Sequence, residues 1–342
     1  MPRKTKRNII TNRELLAQVN PENKRLLEEY LAYLRSVQRS ETTISVYEND
    51  LQIAFVWALE HNNNKFFVEW AKRDIVAFQN WLINTNGNSP SRVRRVKATL
   101  SSLSNYIEAV MDDEFPNFRN IIHKIENPVN QPVREKTVLS DEQINTLLDK
   151  LVEDKKYDRA CLVALAISSG RRKAELTRFK VEYFRDENLI CDGALYKTSE
   201  KIKTKGRGVG GKQIYCYTLA KKFKPYFDKW MQFREENNIE SEWLFPLPEN
   251  PAEHIKPDTL NSWAKSFGKI LGVDFYMHSL RHNWTTSLIR AGLPETVVKE
   301  LAQWASLDMV SIYNDCEAEE QFASYFKNGE INTSGKKSLS EI

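Results

Sequence analysis

A chain of 342 residues that is 41% hydrophobic, with 8 Trp, 16 Phe and 13 Tyr, holds enough apolar material for two cores, which excludes a disordered tail. The formal net charge of +4 neither requires nor forbids a nucleic-acid partner. Cys161, Cys191, Cys216 and Cys316 lie far apart with no C-x-x-C pair, which argues against a disulfide framework or a zinc site and for reduced thiols. No apolar run reaches membrane-spanning length, and the basic start lacks the apolar core of a signal peptide, so a cytoplasmic or nucleoid-associated protein is expected.

Residues 1–20 form a basic extension carrying Arg3, Lys4, Lys6 and Arg7. Helical spacing then marks a first helix through Leu26, Leu27, Tyr30, Leu31 and Leu34. A second, capped by Ser40, runs through Ile44, Tyr47, Leu51, Phe55 and Ala58 and ends at Asn62-Asn63-Asn64. The third, through Ile75, Phe78, Trp81 and Leu82, stops at Asn86-Gly87-Asn88. The fourth follows Ser89-Pro90 and passes Val93, Val96, Leu100, Leu103, Ile107 and Val110. Four helices with short polar turns predict an all-α domain over residues 21–125. Arg92, Arg94, Arg95 and Lys97 crowd the start of the fourth helix against its dipole, which calls for a partner supplying negative charge. Phosphate contacts from this helix, and from the one starting at Ser40 with Thr42 and Thr43, would give affinity for DNA.

Residues 126–138, with Pro128 and Pro132 and no apolar period, read as a linker. The second domain, residues 139–316, opens with a helix at Ser140-Asp141-Glu142, followed by an apolar helix over residues 160–167. Between Leu189 and Leu219 the period changes to that of short strands at residues 189–191, 194–196 and 213–217. The last two flank a basic stretch with Lys197, Lys201, Lys203, Lys205, Arg207 and Lys212. Helices resume at residues 221–236, 258–271, 278–291 and 294–304, and a C-terminal helix and tail occupy residues 317–342, the helix spanning 317–326. The fold class expected is mainly α with a small antiparallel β-sheet, in two domains.

Arg172, Glu175, Lys205, His278, Arg281, Trp304 and Tyr313 carry the chemistry of the second half. Breaking a phosphodiester by nucleophilic attack needs an in-line nucleophile, cations on the non-bridging oxygens, a proton acceptor and a donor for the leaving oxygen. Tyr313 can attack, Arg172 and Arg281 can fork onto phosphate oxygens, His278 shares a helix face with Arg281, and Lys205 can reach a leaving group. Singly, each has a plainer reading: a packing tyrosine, a core tryptophan, a solvated Glu175, an exposed hairpin lysine. Their agreement in order, spacing and setting carries the catalytic reading. His61, His123, His254 and His282 read as structural.

This half resembles the tyrosine recombinases, also called the phage integrase family, and in its details the Cre-like members. The likeness rests on Gly170-Arg171-Arg172-Lys173-Ala174-Glu175, on Lys205 before a strand ending at Leu219, on His278-Ser279-Leu280-Arg281-His282, and on Trp304 nine residues before Tyr313. Residues 11–125 match the family's helical core-binding domain more loosely, through Ser40-Glu41-Thr42-Thr43-Ile44, Tyr47 and Leu51. The resemblance implies a catalytic domain in which Tyr313 forms a 3′-phosphotyrosine and releases a 5′-hydroxyl. Arg172, Arg281 and the Trp304 indole would hold the phosphate, Lys205 would protonate the leaving oxygen, His278 would assist proton transfer, and Glu175 would orient. It implies no cofactor, neither metal nor ATP. The implied partners are double-stranded DNA with a specific recombination site and three further copies of the chain, linked through Phe322, Tyr325 and Phe326 of the tail. Lys201, Lys203 and Arg207 would add DNA contacts. Arg171 fills a position usually apolar in the family, so Arg172 is preferred to it on spacing alone, as Lys205 is to Lys203 and Lys201. A type IB topoisomerase or telomere resolvase, and a non-cleaving regulator of the same fold, are the competing readings.

Overall fold

Polar caps set where the first helices begin. In the computed structural model, which describes residues 10–129, 137–204, 211–315, 326–327 and 330–331, Asn12 caps α1 (Arg13–Gln18), and Asn20 with Pro21 starts α2 (Pro21–Ser36). Ser40 accepts from the Thr43 N–H to open α3 (Glu41–His61). Then α4 (Lys72–Asn80) runs into a π-helical turn at Trp81–Thr85, and Gly87 turns the chain at φ +64°. Ser89 and Pro90 start α5 (Pro90–Val110). These helices form the first of two compact units, around a core that includes Leu26, Tyr30, Phe55, Trp57, Phe78 and Leu100. The four expected helices are present, joined by α1 and the π-turn, both too short to leave an apolar period.

At the start of α5, three of the four clustered cations have partners inside this unit. Asp50 has a fully buried side chain, and it receives Arg92 at 2.7 Å and Arg95 at 2.9 Å. Burial pushes the Asp50 carboxyl up to about 6 against the pull of Arg95 and Thr99, so it is ionised at neutral pH beside both forks. Lys97 is 3% exposed and donates to the carbonyls of Ile125 at 2.9 Å and Glu126 at 3.0 Å. The expectation that Lys97 faces DNA is corrected: its ammonium satisfies backbone carbonyls that would otherwise lack donors. Arg94 is exposed, as is Thr42, while Thr43 shares its hydroxyl with Ser40 at 2.8 Å.

In the second unit, Ser140 and Gln143 form a capping box for α6 (Asp141–Glu153), whose leucines pack on the apolar α7 (Tyr157–Ser169). After α8 (Lys173–Leu176), strands β1 (Leu189–Ile190), β2 (Leu195–Lys197), β3 (Ile202–Lys203), β4 (Gln213–Ile214) and β5 (Tyr217–Leu219) make an antiparallel β1-β2-β5 sheet and a separate β3–β4 hairpin. The single strand expected at residues 213–217 is thus divided. Cys216 sits at the break, its N–H donating to the Thr198 hydroxyl at 3.1 Å and its carbonyl accepting the Thr198 N–H at 3.0 Å. The buried α7 packs against α9 (Ala220–Glu236). A hairpin of β6 (Pro246–Leu247) and β7 (Asn250–His254) leads to α10 (Pro257–Leu271), α11 (Met277–Arg290), α12 (Glu295–Ala302) and α13 (Asp308–Tyr313). Of the C-terminal helix expected at residues 317–326, all but Phe326 lies outside the described residues; Phe326 opens β8 (Phe326–Lys327), paired with β9 (Glu330–Ile331). No helix among the described residues is long and apolar enough to cross a membrane.

Candidate active site

The site is built on the end of α7. Gly170 terminates that helix in the left-handed region at φ +59°, and a Cβ there would collide with the indole ring of Trp284, so glycine is required twice over. The chain then extends, and adjacent side chains point opposite ways. Arg171 turns inward and is 2% exposed, donating from Nε to the Ser169 carbonyl at 3.0 Å and from Nη2 to the Leu301 carbonyl at 2.5 Å. Arg172 turns outward with its side chain 39% exposed.

Arg172 opens α8, and Glu175, three positions on, closes the turn: its carboxylate accepts the Arg172 backbone N–H at 3.1 Å and the Arg172 guanidinium at 3.2 Å. Glu175 is buried and also accepts a short hydrogen bond from the Thr204 hydroxyl. Burial works to raise its carboxyl, but Arg171, Thr204 and Arg172 outweigh it and hold the group below the ordinary carboxylate range.

From α11, Arg281 enters the same space 1% exposed, with Nη1 donating to the Gly170 carbonyl at 2.7 Å. Its Nε and Nη2 are buried with no hydrogen-bond partner among the described residues, and so is Nε1 of Trp304. Burial first, then the nearby charges of Arg172 and Arg171, lower the guanidinium to about 10, so it stays protonated at neutral pH. Its Cζ lies 4.8 Å from the Trp304 ring centre and 4.9 Å from that of Tyr313, and those two rings stack at 5.1 Å and 11°.

Tyr313 ends α13 with its hydroxyl 2.7 Å from Nε2 of His278. Desolvation, then the charges of Arg281, His282 and Arg172, lower the His278 imidazole to about 4. The residue is nevertheless exposed by surface area, so solvent screens part of this shift, and the imidazole is neutral at pH 7. Beside the phenol, with its ring centre 4.9 Å from that of Tyr313, His282 pairs with Asp315 at 3.0 Å, and the Thr286 hydroxyl bridges the Tyr313 carbonyl and the Asp315 N–H.

Six of the seven expected catalytic residues therefore lie in the second unit around α7, α8, α11 and α13. Lys205 and Arg207 fall outside the described residues. The hairpin that leads to them is held at its base, where Thr204 binds Glu175 and the Lys203 carbonyl accepts from Arg178 at 2.6 Å. Lys203 is exposed in β3, and the exposed Lys201 sits 5.6 Å over the Tyr215 ring. Sequence reasoning missed Thr204, Thr286 and Asp315 and gave His282 no neighbour, although Thr204 directly precedes Lys205 and Asp315 lies just after Tyr313.

Residues 137–320 match the phage integrase family. The chain belongs to that family. Among phage integrase relatives, a tyrosine recombinase of Thermosipho africanus is 24% identical over 87% of this chain and 96% of its own length. The SPbeta prophage-derived recombinase-like protein YomM of Bacillus subtilis is 29% identical over 67% of this chain and 66% of its own. A crystal structure of the XerH site-specific recombinase bound to a palindromic difH substrate matches with a TM-score of 0.63 at 19% identity, covering 90% of each chain. A lambda integrase dimer bound to a COC′ core site gives 0.63 at 14% identity, over 86% of this chain and 96% of that one. The mainly helical fold expected from the sequence is the fold of these integrase-family enzymes.

Proposed function

We propose that this tyrosine recombinase cuts and rejoins double-stranded DNA at a specific site through a covalent bond between Tyr313 and phosphorus. The observation that carries the assignment of residues is the phenol of Tyr313 hydrogen-bonded to a neutral imidazole beside donors of Arg281 and Trp304 that have no partner among the described residues. Buried donors left unsatisfied are destabilising, and a phosphate would satisfy them. With its proton on Nδ1, His278 takes the phenolic proton at Nε2 as the tyrosine oxygen attacks phosphorus. Arg172, Nη2 and Nε of Arg281, and the indole N–H of Trp304 stabilise the non-bridging oxygens as the P–O5′ bond breaks. Lys205 protonates the departing 5′ oxygen. Attack by a 5′-hydroxyl of the partner strand reverses the steps, and because the phosphotyrosine keeps the energy of the broken ester, neither nucleotide nor metal enters the balance.

Relatives described as tyrosine recombinases, and family members solved on DNA sites, support this reading. Arg92, Arg94, Arg95, Thr42 and Thr43 of the first unit face the duplex, with Lys201, Lys203 and Arg207 adding contacts; four copies act on two inverted-repeat sites in the cytoplasm. Removal of the chain from Glu317 onward should leave binding to one site intact and stop recombination. The chemistry is tested on a duplex selected by binding from a random-sequence library and nicked so that the cleaved strand diffuses away. A covalent protein–DNA adduct that Tyr313→Phe abolishes is the expected result. An adduct that survives this substitution would refute the assignment.

A further inference from the structure

Arg171 stands next to the phosphate-facing Arg172, yet its guanidinium points the other way, to the C-terminal turn of α12. That turn is strained. Gln303 caps it at φ +55°, ψ +42°, a left-handed conformation that a residue with a Cβ keeps only when its surroundings impose it. Three carbonyls of the last turn are involved in holding it. The Glu300 carbonyl accepts the Gln303 N–H at 3.1 Å and the Lys299 carbonyl accepts the Trp304 N–H at 3.0 Å, while the Leu301 carbonyl accepts Nη2 of Arg171. The residue after the strained position is Trp304, whose indole lies over Arg281 and against Tyr313.

We infer that Arg171 is a positioning residue for Trp304: by closing the end of α12 from the turn that carries Arg172, it fixes the indole over the reaction centre. A bidentate, planar cation suits the task, because one side chain must reach the Ser169 and Leu301 carbonyls at once, and an ammonium cannot reproduce that fork. Its third donor, Nη1, is buried without a partner among the described residues, and its positive charge helps hold buried Glu175 ionised. The two arginines of the Gly170 turn then have different tasks, Arg172 on the phosphate and Arg171 on the group that donates beside it. The inference rests on the reading of Trp304 as a phosphate donor.

The test uses the full chain labelled with 5-fluorotryptophan, in which Trp304→Phe identifies one of the 8 tryptophan resonances. Arg171→Met should shift or broaden the Trp304 line while leaving those of Trp57, Trp70 and Trp81 in the other unit unchanged. On the nicked selected duplex at saturating protein, Arg171→Met should lower single-turnover adduct formation roughly 10- to 100-fold, the scale of a small misplacement at a reaction centre. In a Trp304→Phe background it should lower it no further. Arg171→Lys, which keeps the charge but not the fork, covers the case in which methionine prevents folding, and should give an intermediate shift and rate. An unmoved Trp304 resonance, or losses that simply multiply in the double variant, would overturn the inference. A moved resonance with cleavage indifferent to Trp304→Phe would support the positioning and refute only the donor role of Trp304.

Discussion

The Thr204 hydroxyl donates to Glu175, and this contact ties the β3–β4 hairpin to the turn that presents Arg172. Thr204 immediately precedes Lys205. Thr204→Val keeps the shape and removes the donor, which should cost about 1–3 kcal/mol for a hydrogen bond to a buried carboxylate. Single-turnover cleavage should fall roughly tenfold while affinity for the duplex holds. An unchanged rate would show that the hairpin needs no such anchor.

Acid should stop the enzyme through His278. Its folded pKa of about 4 lies below the unfolded value of about 6.5, so the unfolded chain binds the extra proton first as pH falls. Its contribution to stability is therefore complete above about 6.5 and is lost as pH drops toward about 4, less steeply than for a buried ring because solvent reaches this one. Cleavage should be level from pH 8 to about 5.5 and decline below, measured as adduct formed per unit time. A decline centred near neutral pH would contradict a neutral imidazole held by Arg281 and its neighbours.

Arg94 and Lys97 should separate cleanly. Arg94→Ala, at an exposed position, should weaken DNA binding and reduce the slope of log affinity against log salt by about 1, with no change in melting temperature. Lys97→Met should do the reverse, lowering unit stability by roughly 1–3 kcal/mol as two carbonyls lose their donor. Urea titration and salt-dependent binding of both variants decide it.

Gly170→Ala should be among the most damaging small changes in the chain. It forces a Cβ into the left-handed region and into the Trp284 ring, about 3 kcal/mol or more together. Thermal unfolding of the variant gives the figure, and a loss below about 1 kcal/mol would mean that the turn relaxes freely.

Periodicity made the long helices legible, because α2, α3, α5, α6 and α9 each bury one stripe or are apolar throughout. The motif residues were legible for a different reason: Gly170, Arg172, Glu175, His278 and Arg281 are fixed by chemistry at short spacing. What escaped was set by contacts distant in sequence. Asp50 pairs with Arg92 and Arg95 from 42 and 45 positions away, and nothing local in either helix announces the pairing. The break at Cys216 depends on Thr198, and α13 has only 6 residues, too few to show a period. Spacing favoured Arg172 over Arg171, and the structure turns Arg172 outward and Arg171 inward.

Thr286 and the His282–Asp315 pair hold the backbone that follows the Tyr313 side chain within one copy of the chain. In the proposed mechanism the attacking group, its base and both guanidiniums therefore come from one copy of the chain. Mixing Tyr313→Phe with Arg281→Gln protein should then restore no cleavage, since neither copy owns a whole set. In the proposed mechanism, neighbouring copies do not lend these parts.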